Sequence, residues 1–109
     1  MITISTHVLD TALGKPAAGI RVALSRGDTA IGSGTTDTNG RVRDLNAAGV
    51  ALAEGEYRLA FAVGEYFDAT AREAFYSEVV VSFRINAGGE HYHVPLLLSP
   101  FGYSTYRGS

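Results

Sequence analysis

The sequence predicts an all-β sandwich, and three observations lead to that prediction. Short runs rich in valine, isoleucine, leucine and aromatic residues are separated by turns rich in glycine, asparagine and aspartate. Apolar and polar residues alternate within several of these runs, which is typical of strands with one buried face. The chain has 109 residues, of which 46% are hydrophobic, so it suits one domain, residues 1–109, with one core. We expect eight strands and one short helix.

Four strands are expected in the first half of the chain. The first run ends before a Gly-Lys-Pro turn at residues 14–16, and Ile20, Val22 and Leu24 alternate along the second. Asn39-Gly40 lies between the third and fourth runs and is a strong hairpin signal. We assign these strands to residues 2–9, 19–25, 30–36 and 41–45.

The second half of the chain is expected to hold four more strands and the helix. Residues 65–74 (EYFDATAREA) contain alanine and glutamate without glycine or proline, which predicts a short helix between the fifth and sixth strands. Pro95 lies inside the seventh strand, and because proline cannot donate to a ladder, its nitrogen must fall where no carbonyl is waiting. The strands are assigned to residues 56–63, 79–85, 92–98 and 102–107.

The composition excludes several classes of function. The formal net charge is −2 and no run of lysine or arginine occurs, so a nucleic acid is not an expected partner. The absence of cysteine excludes a disulfide framework, a thiolate nucleophile and a cysteine-based zinc site. No apolar run is long enough to span a membrane and no secretory leader is visible, so we expect no membrane partner and a cytoplasmic location.

Strand alternation also predicts a functional face outside the core. In the first and seventh strands, one alternating set of residues is apolar and is assigned to the core, while the other set points outward. The outward set of these strands and of the last strand includes Leu9, Pro95 and Leu97 together with His7, His93 and Tyr106. An apolar patch that carries polar groups is typical of a binding site or a subunit interface. We therefore expect the site on a sheet surface.

Three blocks of the sequence carry a family resemblance. They are residues 5–10 (STHVLD), residues 91–100 (HYHVPLLLSP) and residues 106–109 (YRGS). Together they resemble the signatures of the transthyretin-related 5-hydroxyisourate hydrolases, and the resemblance covers essentially the whole chain. The YRGS ending is the most specific block, because the thyroid-hormone-carrying transthyretins lack it and lack the histidine pair. The resemblance implies an eight-stranded transthyretin-like (prealbumin-like) β-sandwich.

The resemblance further implies a reaction and an assembly. The reaction is hydrolysis of 5-hydroxyisourate to 2-oxo-4-hydroxy-4-carboxy-5-ureidoimidazoline in urate breakdown, without a metal or organic cofactor. The assembly is a homotetramer, a dimer of dimers, whose outer sheets face each other across a channel that holds the active sites. Carried over position by position, the catalytic residues are His7, Arg41 and His93, and the substrate-binding residues are Tyr106, Arg107 and Ser109.

These residue types suit the opening of a ring by water. Histidine titrates near neutrality, so His7 and His93 can divide the roles of base and acid, and the assignment of each role is open. A guanidinium can stabilise charge that develops on oxygen, a role for Arg41, with Arg43 on the same face as the alternative. His91 begins its strand, so we expect a structural or peripheral role for it. The tail would supply aromatic surface and hydroxyl groups to a flat heterocycle.

Two other functions compete with this interpretation. A transthyretin-like carrier would bind a small hydrophobic molecule in the channel and would need neither a histidine pair nor an arginine there. A zinc hydrolase would use His7, His91 and His93, because His-x-His on a strand also occurs in three-histidine zinc sites. No carboxylate partner for these histidines is identifiable in the sequence. Bound zinc, and activity after chelation, separate a zinc enzyme from a metal-free one.

Overall fold

The computed structural model describes residues 2–109, which form two β-sheets and one helix. The first sheet contains β1 (Thr3–Asp10), β2 (Lys15–Pro16), β5 (Arg41–Val42), β8 (His91–Ser99) and β9 (Gly102–Thr105). The second sheet contains β3 (Arg21–Arg26), β4 (Thr29–Thr35), β6 (Gly55–Phe61) and β7 (Val79–Ile85). The helix α1 (Val63–Ala69) connects β6 to β7. The predicted all-β sandwich is confirmed.

The centre of the first sheet is a parallel pair of strands that are far apart in the chain. The strand order is β2-β1-β8-β9, with β5 also paired to β1, and the second sheet has the order β4-β3-β6-β7. β1 and β8 run parallel, with Ser5 opposite His93 and His7 opposite Pro95. Residues opposite each other in neighbouring strands point to the same face of the sheet. This register therefore assembles the candidate site.

The core lies between the inner faces of the two sheets. Ile4, Val8, Leu96 and Leu98 are fully buried, as the alternation of β1 and β8 predicts. Each such side chain contributes about 1.5–3 kcal/mol by its burial. The largest buried side chains from the second sheet and the helix are the aromatic rings of Tyr57, Phe61 and Phe67. The intervening residues of β1 and β8 are left on the outer face.

The helix is shorter than the predicted segment 65–74 and begins earlier. Val63, fully buried, anchors its first turn in the core. The helix ends at Ala69 because the Thr70 hydroxyl donates to two carbonyl oxygens of the preceding turn (3.0 and 3.2 Å) and Ala71 adopts a left-handed φ of 55°. No helix within residues 2–109 is long and apolar enough to cross a membrane.

A buried ion pair fastens the end of β1 to the segment after α1. The fully buried Asp10 carboxylate accepts hydrogen bonds from the Arg72 guanidinium (2.5 Å) and the Tyr66 hydroxyl (2.7 Å). Burial alone would raise the pKa of Asp10, but these two donors and the Leu13 amide outweigh it, so the pKa lies below its ordinary value. Burial, followed by the hydrogen bond to Asp10, raises the pKa of Tyr66 to about 12.

The predicted turn at residues 14–16 contains an additional strand. β2 pairs antiparallel with the end of β1, so that Leu9 lies opposite Pro16. Gly14 closes the turn with a φ of +68°, a conformation that costs glycine no steric penalty. Residues 2–109 therefore form nine strands instead of eight, and the helix follows the sixth strand instead of the fifth. The last strand ends at Thr105, before the predicted residue 107.

The Asn39-Gly40 turn does not join two paired strands, so the hairpin prediction is wrong. The turn carries the chain from β4 in the second sheet to β5 in the first, where β5 pairs with β1. β5 has two residues instead of the predicted five, because Asp44 accepts a hydrogen bond from a β1 amide (3.1 Å) and Leu45 enters the core. This short strand still places Arg41 opposite His7.

Pro95 fits into β8 because its nitrogen lies on the β9 side of the strand, just beyond the last residue pair of the β8–β9 ladder. The His93 carbonyl accepts a hydrogen bond from the Gly108 amide (2.8 Å), and residues two apart in a strand direct their backbone groups to the same side. The nitrogen of Pro95 therefore faces the tail, beyond the last β9 residue, Thr105. The ladder needs no donor at that position.

Candidate active site

The outer face of the first sheet carries a shallow pocket of about 310 Å³. The pocket lies where β1, β5, β8 and the C-terminal tail meet. Its lining includes two predicted catalytic residues, Arg41 and His93, and one predicted substrate contact, Ser109. The lining residues are Ser5, Thr6, Arg41, Val42, Arg43, His91, His93 and Ser109.

The His93 side chain is half-buried, and within residues 2–109 it makes one hydrogen bond. Its Nδ1 lies 2.7 Å from the Ser5 hydroxyl oxygen, which leaves Nε2 as the ring nitrogen available to water or a ligand. Burial lowers the pKa of His93, and Coulombic interactions with Arg41, His91 and His7 lower it further, in that order. Neutral imidazole is therefore the dominant form near pH 7, and it can accept a proton.

His7 lies beside the pocket and is not part of its lining. In the β1 register it is opposite Pro95 in β8 and opposite Arg41 in β5. Its side chain is half-buried and points to the same outer face as Ser5, two residues earlier in β1. The two predicted catalytic histidines therefore share one sheet face. His93 lies opposite Ser5, and His7 lies two residues further along β1.

Arg41 is positioned by the turn that precedes it. The Asp37 carboxylate accepts hydrogen bonds from the amides of Asn39 (2.8 Å) and Arg41 (3.0 Å), which closes the turn. Gly40 has a φ of +76°, and a Cβ there would lie 2.4 Å from the Val8 carbonyl oxygen, so the close approach to β1 requires glycine. The turn therefore delivers the guanidinium to the outer face.

Both candidate arginines line the pocket. Among residues 2–109, neither Arg41 nor Arg43 has a carboxylate within salt-bridge distance. Both guanidinium groups are thus available to an anionic or carbonyl oxygen. The electrostatic effect on His93 comes from Arg41, which favours Arg41 as the site arginine.

The C-terminal tail is tied to His93. The Gly108 amide donates to the His93 carbonyl (2.8 Å) and forms an isolated bridge with it. A Cβ at Gly108 would lie 2.5 Å from Cδ2 of the His93 ring and 3.2 Å from Pro95, so the tail packs flat against both. This contact directs Ser109 into the pocket. Gly108 was missed in the sequence analysis, although it belongs to the YRGS block.

Comparison with known protein families shows the family to which this chain belongs. A model described as the HIUase/Transthyretin family matches residues 4–108. The chain belongs to this family. A 5-hydroxyisourate hydrolase of Caulobacter vibrioides is 46% identical over 117 aligned residues that cover 100% of both chains. The structure of Klebsiella pneumoniae 5-hydroxyisourate hydrolase matches with a TM-score of 0.90 and 38% identity, again over 100% of both chains.

The solved structure of a transthyretin is also similar to this chain. The crystal structure of sea bream transthyretin in complex with thyroxine matches with a TM-score of 0.87 and 29% identity, covering 97% of this chain and 94% of that one. The predicted transthyretin-like fold and the resemblance to 5-hydroxyisourate hydrolases are both confirmed.

Besides His7, two other residues carried over from the family lie outside the lining of this pocket. Tyr106 and Arg107 line a separate apolar pocket of about 270 Å³, and the Arg107 guanidinium lies 4.6 Å from the centroid of the Tyr92 ring. Tyr92 belongs to the inner face of β8. The alternation argument assumed a strand through residue 107, whereas the ladder ends at Thr105, so it assigned Tyr106 to the wrong face within the single chain. Their substrate contact stays a prediction.

Sequence reasoning also missed the hydrogen-bonding roles of the Ser5 and His91 side chains. The Ser5 hydroxyl lies 2.7 Å from Nδ1 of His93 and 3.3 Å from Nε2 of His91. Nδ1 of His91 in turn lies 2.5 Å from the Thr3 hydroxyl oxygen. Alternation along β1 placed Ser5 on the face of His7, but the partners depend on the β1–β8 register, which the sequence does not reveal.

The metal-site alternative was tested against the positions of the side chains. Within residues 2–109, no three histidine, cysteine, aspartate or glutamate side chains are placed to hold one metal ion. The rings of His91 and His93 lie nearly parallel, at an interplanar angle of 12° and a centroid distance of 6.5 Å. The nearest polar partners of His91 are hydroxyl groups of β1.

Proposed function

We propose that this enzyme hydrolyses 5-hydroxyisourate in urate breakdown, using His7, Arg41 and His93 on the outer face of the first sheet. The observation that carries the proposal is His93, with Nδ1 held by Ser5 and Nε2 available, in a pocket that also holds Arg41, which no carboxylate of residues 2–109 pairs. Relatives described as 5-hydroxyisourate hydrolases, aligned over the whole chain, support the choice of substrate.

The reaction is opening of a cyclic amide by water. The water oxygen bonds to the ring carbonyl carbon while a neutral histidine accepts the water proton. The Arg41 guanidinium stabilises the negative charge that develops on the carbonyl oxygen. As the ring C–N bond breaks, a protonated histidine donates to the departing nitrogen. The lowered pKa of His93 favours His93 as the base and leaves the acid role to His7.

A tetramer, arranged as a dimer of dimers, completes this proposal. In the single chain the pocket is shallow and open, and the same sheet face carries the partly buried Leu9 and Leu97. A second copy against this face would cover these apolar side chains and exclude water from the pocket. In that assembly Ser109, Tyr106 and Arg107 would contact the substrate. The cytoplasmic location stays a prediction.

The direct test follows 5-hydroxyisourate produced in place by urate oxidase from urate. We expect its absorbance to decay much faster with the protein than without it, and expect His93→Asn protein to restore the spontaneous rate. A parallel assay with a strong chelator distinguishes a zinc enzyme from a metal-free one, because we expect the chelator to leave turnover unchanged. Decay that the protein does not accelerate would contradict the proposal.

A carrier function is the alternative, because sea bream transthyretin with bound thyroxine has a similar fold. A carrier would bind an aromatic ligand such as thyroxine without converting 5-hydroxyisourate. Tight thyroxine binding together with no acceleration of decay would favour it.

A further inference from the structure

We propose that Ser5 and His91 are positioning residues for His93: a hydrogen-bonded chain from His93 through Ser5 to His91 keeps the His93 proton on Nδ1 and Nε2 bare. The inference deepens the proposed function and rests on it where catalysis is concerned. The chain itself is a property of the protein that exists without substrate.

The parallel register of β1 and β8 builds this chain. Thr3 lies opposite His91 and Ser5 lies opposite His93, so hydroxyl groups of one strand alternate with imidazoles of the next on one face. The contacts run from Thr3 to His91 (2.5 Å), from His91 to Ser5 (3.3 Å) and from Ser5 to His93 (2.7 Å). The two histidines meet the Ser5 hydroxyl through different ring nitrogens, Nε2 of His91 and Nδ1 of His93.

A hydroxyl group has one proton, so this chain has a direction. If the Ser5 proton is donated to Nε2 of His91, the Ser5 oxygen accepts from Nδ1 of His93. Neutral His91 then carries its own proton on Nδ1 and donates it to the Thr3 oxygen. The reverse direction also gives every contact one donor and one acceptor, but it puts the His93 proton on Nε2. Only the first direction leaves Nε2 of His93 free to accept a proton from water, as the proposed base must.

The same arrangement also suits the protonated state of His93. When Nε2 takes a proton, Nδ1 keeps its own, and the Ser5 oxygen continues to accept from the imidazolium in a charge-assisted hydrogen bond. Ser5 is 9% exposed, so bulk water competes weakly for this contact. The charged or titratable groups that act on His93 are Arg41 on β5, His91 on β8 and His7 on β1.

Two substitutions interrupt the chain at different points. Ser5→Ala removes the acceptor of Nδ1, and we expect kcat to fall ~10-fold or more with KM nearly unchanged, as when an orienting partner of a histidine is lost. His91→Leu, at an exposed position, removes the group that receives the Ser5 proton, and we expect a smaller fall in kcat. His91→Gln can still accept that proton through its amide oxygen and should recover much of the loss. Ser33→Ala, an exposed serine on the second sheet, is the matched control.

A measurement without substrate tests the chain independently of turnover. Nitrogen-15 NMR of the histidine rings at neutral pH should show His93 protonated on Nδ1 in the wild type and a mixture of tautomers in Ser5→Ala. A wild-type His93 protonated on Nε2, or tautomers unchanged in both Ser5→Ala and His91→Leu, would overturn the inference. If the wild type shows this tautomer but does not hydrolyse 5-hydroxyisourate, the positioning stands and the proposed function fails.

Discussion

At the scale of single residues, the account depends on the charge state of His93. Burial and the neighbouring cations lower its pKa, so the neutral form persists below pH 6.5, the ordinary histidine value. We expect the apparent pKa, followed by NMR titration, to lie below that value and to rise in Arg41→Gln. Arg43→Gln is the matched control and should leave it nearly unchanged. The reverse result for the two arginines would assign the electrostatic role to Arg43.

The same pKa sets the pH dependence of the reaction. Because a depressed pKa keeps the base neutral, kcat/KM should hold as pH falls to about 6.5 and should be lost as pH falls through the lowered pKa of His93. Rate measurements from pH 5 to pH 8 check this. A rate that is flat over that range would show that no histidine acts as base.

The sequence predicted the shared sheet face of the three candidate catalytic residues better than it predicted the hydrogen-bond partners of His93. Alternation placed His7 and His93 on the outer face, and the family resemblance added Arg41. All three lie on the outer face of one sheet, and their catalytic roles stay predictions. Ser5 and His91 were not assigned to a chain with His93, because their contacts join residues 86 and 88 positions apart. Such contacts depend on strand register, which local patterns do not determine.

At the scale of elements, the C-terminal tail packs directly against the His93 ring. In Gly108→Ala, the new Cβ would lie 2.5 Å from the His93 ring, so the ring or the tail must move. We expect kcat/KM to fall ~10-fold or more, since small displacements of positioned groups are costly. Gly102→Ala is the control, because its Cβ would meet its nearest neighbour at an ordinary 3.8 Å. Equal activity of the two variants would show that the tail does not position His93.

Errors in the predicted elements have identifiable physical causes. The helix was placed too late because composition favoured residues 65–74, whereas burial of Val63 starts it and the Thr70 hydroxyl ends it. The strand β2 was taken for a turn because two residues give no alternation pattern. The Asn39-Gly40 turn has the composition of a hairpin, but its two flanking strands belong to different sheets. Strand pairing is a tertiary property that dipeptide preference does not encode.

At the scale of the whole molecule, the Asp10–Arg72 pair links the first sheet to the helical segment. In Arg72→Met, the buried Asp10 carboxylate loses its cationic partner, and we expect the free energy of unfolding to fall by about 3–5 kcal/mol. Urea denaturation measures this. Arg21→Met removes an exposed ion pair with Glu65 and should change stability little. A similar small loss in both variants would mean that Asp10 is not dependent on Arg72.

The proposed assembly makes a prediction about mass. Pro95 is already buried in the single chain, whereas Leu9 and Leu97 on the outer face are only partly buried. If other copies cover these two leucines, light scattering at micromolar concentration should give four times the chain mass of 11.5 kDa. A monomer at that concentration would contradict both the tetramer and a channel between subunits.

If His7, Arg41 and His93 form one catalytic site on an outer sheet face, each is needed for turnover. Measuring kcat/KM toward 5-hydroxyisourate for His7→Asn, Arg41→Lys and His93→Asn tests this directly. Each residue lies outside the sandwich core, so each variant should remain folded with a wild-type unfolding midpoint. Each should lose at least ~10²-fold in kcat/KM, the usual effect of removing a positioned acid, base or charge-stabilising group. Near-normal turnover in any folded variant of the three would contradict the account.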